Sequence, residues 1–153
     1  MNIQLTDGAT DINLRRMPKR IAKNIYLLKA KSLTIRKLIM TNKEFIKDTI
    51  EYYCTDSTRI AEMGPMYKCG THYCAIGRWI KPDKYCNAME DYPNVESLLR
   101  AYPDCLMDEV KDVAIEVLSE MQQMHDYVLD PYRSPEHNLL EVQEFLKHRG
   151  IEV

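Results

Sequence analysis

Cys69, His72, Cys74 and Cys86 are the residues of this chain whose types and spacing could do chemistry. Thiolate and imidazole donors are the usual ligands of tetrahedral zinc, and a short loop between Cys69 and His72 would let both hold one ion. The pattern Cys-x2-His-x-Cys-x11-Cys lacks the paired Cys-x2-Cys units of structural zinc sites. The same residues also read as small buried hydrophobes around a hydrogen-bonded histidine. A second chemistry is nucleophilic. Cys74 would act as a thiolate if the fold placed His72, His125 or His137 beside it, because a reactive cysteine needs a base and a lowered pKa. His125-Asp126 is an adjacent pair of a kind that ligates metals in some hydrolases. It stands alone in the chain, and the expected reading is a polar interruption near a helix end. Met121 and Met124 are expected in the core.

Cys69, His72 and Cys74 sit in Tyr67-Lys-Cys-Gly-Thr-His-Tyr-Cys-Ala-Ile-Gly-Arg-Trp79, which also holds the only tryptophan. Residues 67–73 are expected to form a short hairpin turning at Gly70. Cys74 to Ile80 is apolar enough to open a short buried helix, stopped by Pro82. Gly77 would allow close approach of another backbone, and Arg78 is expected to face outward. Arg78 and Trp79 are therefore candidate binding residues.

The elements that must position this segment are helical. Thr41-Asn-Lys-Glu44 is a capping box, and Phe45, Ile46, Thr49, Ile50 and Tyr53 behind it fall on one face. Asn94 caps a short helix that ends before Pro103. Leu106, Val110, Val113, Val117, Met121, Met124 and Val128 recur at helical spacing, which predicts one long helix over residues 104–129. Ser134-Pro135 starts a last helix, with Leu139, Val142, Phe145 and Leu146 inward. Gly150 is a left-handed stop, against which Ile151 packs in a Schellman arrangement. The expected fold is a mainly α, compact helical domain with at most one small β-hairpin near residues 66–74.

Charge is unevenly distributed. The net charge is −2, yet residues 12–40 hold nine bases and no acid. The chain divides into a partly helical basic arm over residues 1–39 and a single helical domain over residues 40–153. Arg15, Arg16, Lys19, Arg20 and Lys23 are candidate phosphate contacts for salt-dependent nucleic-acid binding. A solvated helix face, or docking on the chain's own acidic surface, accounts for the same charges. No apolar run is long enough to span a bilayer, and the first residues lack the pattern of a secretory signal. With an odd number of cysteines, five, the expected state is reduced and cytoplasmic. A glycine-poor sequence offers neither a phosphate-cradling loop nor a nucleophile elbow.

The segment Cys74-Ala-Ile-Gly-Arg78, with Glu51-Tyr-Tyr and Arg59 before it and His125-Asp126 after it, resembles small uncharacterised accessory proteins of tailed phages and prophages. The likeness covers about residues 40–80, and the basic arm departs from it. That family has no established activity, so no catalytic residue is carried over. The resemblance implies a phage source, the host cytoplasm as location, and action on host or phage machinery by binding. The functional expectation is stoichiometric binding of a host or phage macromolecule, most readily a protein. The alternatives are a small zinc- or thiol-dependent enzyme centred on Cys69, His72 and Cys74, and nucleic-acid binding through the arm. No membrane partner is expected.

Met40 stands directly before the capping box. A chain of residues 40–153 is therefore expected to fold alone and to melt cooperatively by circular dichroism. A spectrum of an unfolded chain would contradict this division.

Overall fold

The computed structural model describes residues 39–61 and 66–152. The expectations for the arm, including Arg15, Arg16, Lys19, Arg20 and Lys23, lie outside these residues. The described residues form four α-helices and one antiparallel hairpin, a mainly α domain. None of the helices described is long and apolar enough to cross a membrane.

Helix α1 (Asn42–Cys54) starts at the capping box: Glu44 N–H donates to Thr41 Oγ1 at 3.3 Å, and Thr41 N–H donates to Glu44 Oε2 at 2.8 Å. Two orphan amides are thereby satisfied. Phe45, Ile46, Thr49 and Tyr53 are buried. The Thr49 hydroxyl donates to the Phe45 carbonyl at 2.8 Å, which makes its burial tolerable. Helix α2 (Val95–Ala101) is capped by Asn94, whose side chain accepts from Ser97 N–H at 2.8 Å. Helix α3 spans Ile115–Tyr127, and helix α4 spans Pro135–His148 behind its Ser134 cap. Helix α1 packs on α3 and α4, while α2 packs on α3. Met121 and Met124 are fully buried between them.

Helix α4 closes as its sequence indicates. Gly150 has φ +66°, Gly150 N–H donates to Lys147 O at 3.1 Å, and Ile151 N–H donates to Leu146 O at 2.9 Å. These are the two bonds of a Schellman motif. Its inner face differs slightly from the expected one: Asn138 is fully buried and Leu139 is partly exposed. Asn138 earns its place by clamping the α3–α4 loop, accepting from Asp130 N–H at 3.1 Å and donating to Asp130 O at 2.9 Å.

The expected long helix over 104–129 is corrected. Its first half is a run of turns, and α3 begins only at Ile115. Residues 104–107 have their backbone groups engaged sideways. Lys81 N–H donates to Cys105 O and Met107 N–H to Trp79 O, both at 2.8 Å, around an Ile80–Leu106 bridge. The Glu109 carbonyl accepts from Met40 N–H at 2.6 Å, and Val113 N–H turns to Val110 O. Ala114 is extended, and its N–H donates to Asn42 Oδ1 at 2.8 Å. Leu106, Val110 and Val113 are nonetheless buried, so their spacing reports burial without reporting a helix.

The hairpin pairs β1 (Lys68–Cys69) with β2 (His72–Tyr73), turning through Gly70 at φ +61°. Its docking on the following segment is unusually close. A Cβ on Gly77 would lie 1.7 Å from the Tyr67 carbonyl oxygen, whereas one on Gly70 meets nothing within 4 Å. Gly77→Ala is expected to cost at least about 3 kcal/mol, because a backbone carbonyl cannot yield cheaply. Gly70→Ala is expected to cost about 1 kcal/mol, from its left-handed conformation alone. Urea denaturation of both variants checks this, and equal costs would contradict the close contact.

Candidate functional site

The segment 74–80 has a buried side and an outer side. Cys74, Ala75, Ile76 and Ile80 face the core. The Cys74 sulfur accepts from Gly77 N–H at 3.1 Å. Ile76 N–H donates to Gln122 Oε1 at 3.2 Å, and Gln122 Nε2 donates to Asp126 Oδ2 at 2.7 Å. The other carboxylate oxygen, Asp126 Oδ1, lies 2.9 Å from His125 Nδ1. The His125 ring meets the Tyr53 ring edge-on, with centroids 4.9 Å apart, and the Tyr53 hydroxyl donates to Tyr73 O at 2.7 Å.

This chain of contacts corrects the reading of His125-Asp126 as a polar interruption. The two side chains are only 4% and 7% exposed, and they tie α3 to the 74–80 turn. It also bears on thiol chemistry. Cys74 is fully buried, and burial pushes its thiol up to about 12, so it is a neutral thiol at physiological pH. Its sulfur is engaged by a backbone amide.

The other candidate ligands are dispersed. Cys69 and His72 are direct cross-strand partners on the hairpin. Cys86 is exposed, with its sulfur 3.8 Å from the Tyr102 hydroxyl. Among the described residues no three His, Cys, Asp or Glu side chains converge as ligands of one metal ion would.

On the outer side, Arg78 does not face outward as expected. Its side chain is 12% exposed and pairs with Asp48 of α1. Its guanidinium lies 4.1 Å from the Tyr52 ring centroid and 4.8 Å from that of Trp79. A planar, weakly hydrated cation suits a slot between two rings. Trp79 is half-buried, and its ring also packs against Phe45 at 6.3 Å.

Arg78 forms one wall of a pocket of about 430 Å³. Tyr52, Tyr73 and Tyr85 supply aromatic faces, Lys68 a second cation, and Ile80, Pro82 and Met107 an apolar floor. No carboxylate lines it among the described residues. Lys68 Nζ lies 5.5 Å and 5.2 Å from the ring centroids of Tyr73 and Tyr85, and it makes no ion pair among the described residues. Glu90 holds this wall in place. Its carboxylate accepts from Tyr67 N–H at 2.8 Å, Lys68 N–H at 3.1 Å and the Tyr85 hydroxyl at 2.8 Å. Burial first, and the bond to Glu90 next, push the Tyr85 hydroxyl up to about 12, so it remains a donor.

A larger depression of about 550 Å³ lies at the α3–α4 loop. Its charges are largely paired with one another, Arg133 with Asp130 at 3.1 Å and with Glu141 at 3.7 Å. The tyrosine pocket differs in presenting Lys68 without an ion pair and, among the described residues, no acid in its lining. Sequence reasoning named Arg78 for it and missed Tyr52, Lys68, Tyr73 and Tyr85. The available signal was an excess of tyrosine, ten against two phenylalanines, in a chain of ordinary aromatic content.

Comparison with protein-family models, curated proteins and solved structures found no match.

The buried groups generate a pH prediction. Cys74 and Tyr85 lose their protons at about 12 when folded, against 9.0 and 10.0 as free groups. The unfolded chain therefore deprotonates first. Stability is full below about pH 9 and falls as pH rises toward 12. The thermal midpoint is expected to drop steeply in that window, and Cys74 should resist thiol reagents until denaturant is added, while Cys86 reacts at once. A midpoint unchanged to pH 11, or rapid native labelling of Cys74, would contradict the burial.

Proposed function

We propose that the protein acts by stoichiometric binding of a host or phage macromolecule at the face that carries the Tyr52–Tyr73–Tyr85 pocket. The observation behind this reading is the pocket's composition: three aromatic walls and two cations, with no acid lining it among the described residues. Tyrosine and arginine are the side chains most often found at the energetic centre of binding interfaces, because they present large rigid areas with polar tips. The pocket is also preformed. Glu90 and the Gly77–Tyr67 contact hold its walls, so little ordering cost falls on binding.

The closed, neutral Cys74 thiol favours binding over thiol chemistry at the same segment. The phage setting rests on the likeness of Cys74-Ala-Ile-Gly-Arg78 to accessory phage proteins.

Affinity capture from a bacterial lysate with the full chain tests the reading. The wild type is expected to retain a macromolecule in near-equimolar amount, and Lys68→Glu to lose it while keeping the wild-type melting profile. Equal retention by Lys68→Glu, or no equimolar partner, would overturn it.

A further inference from the structure

The tyrosine pocket has two chemical demands that one ligand class meets together. Its three tyrosines and the apolar Ile80, Pro82 and Met107 favour a planar ring. One of its cations has unused capacity. Lys68 Nζ lies over the Tyr73 and Tyr85 rings and makes no ion pair among the described residues. Arg78 is already paired with Asp48, and its Nη1 is buried without a hydrogen-bond partner among the described residues, so it adds positive potential to the wall and no open N–H. A cation without a counter-ion favours a phosphate.

The volume, about 430 Å³, falls within the range of sites that enclose a small ring-bearing ligand. A planar base joined to a phosphate satisfies both demands. The chain also carries nine bases and no acid over residues 12–40, a charge density suited to a ligand with many phosphates.

Building on the binding reading above, we propose that this pocket receives a base of a single-stranded nucleic acid, stacked on the tyrosine walls, with its phosphate held by Lys68. Binding of this kind tolerates sequence, because every base has a π face, and weakens with salt. A base inside a duplex could not enter, since its faces are already stacked on its neighbours.

The test uses the full chain and a labelled single-stranded oligonucleotide of about 15 nucleotides, followed by fluorescence anisotropy across a salt series. Wild type is expected to bind it in preference to the same sequence as a duplex. Tyr85→Ala should weaken binding by about tenfold, and Tyr85→Phe, which keeps the ring, by less than about twofold. Lys68→Ala should lower the slope of log affinity against log salt by about 0.7. Photocrosslinking of the wild type with a bromouridine-bearing oligonucleotide does not depend on any variant folding, and it should label Tyr52, Tyr73 or Tyr85. Crosslinks confined to residues 12–40, or tighter binding of a phosphotyrosine peptide in the pocket, would overturn the assignment. So would the absence of oligonucleotide binding. If Lys68-dependent capture of a protein persists without oligonucleotide binding, the ligand class fails and the binding face stands; if both are lost, both fail.

Discussion

The contact between Gly77 and the Tyr67 carbonyl governs much of what this domain presents to solvent. Cys74 N–H donates to that same carbonyl at 3.2 Å, so the chain leaves the hairpin and folds back against it. The approach is possible only because residue 77 has no Cβ. Lys68 and Tyr73 come from the hairpin and Arg78 from the folded-back turn. Separating the two would remove the pocket without removing any of its residues.

The turn is anchored on its other side by polar groups that would be costly if unpaired. Gln122 links the Ile76 amide to Asp126, and Asp126 in turn holds His125. A buried amide or carboxylate that loses its partner forfeits its hydration with nothing in return, so the arrangement fixes the register of α3 against the turn. Glu90 does the equivalent work for the hairpin, with three donors on one carboxylate. Apart from Tyr52 on α1, the pocket is thus built from short segments held by side-chain bonds. That explains how a pair of two-residue strands and the turn at residues 74–80 can present a defined surface.

What the sequence revealed follows the range of the forces involved. Capping at Thr41, Asn94 and Ser134 and the stop at Gly150 are local, so their signals lie within a few residues and appear where expected. The Leu106–Val113 half of the long apolar stripe misled, because burial at a period of three to four residues arises in turns as well as helices. Its hydrogen-bond partners, Trp79, Lys81, Met40 and Asn42, are distant in sequence. Arg78 was misplaced for the same reason: Asp48 and Tyr52 lie on α1, and nothing local announces that they will cover it. The tyrosine pocket draws on residues from 52 to 107 and carries no spacing signature at all.

Isotope-labelled full-length protein titrated with a single-stranded oligonucleotide, and followed by amide and side-chain NMR shifts, tests the central claim most directly. The account predicts shifts centred on Lys68, Tyr73, Gly77, Arg78 and Tyr85, saturating at one site. Shifts centred on the depression at the α3–α4 loop, or no shift at the pocket at saturating ligand, would contradict it.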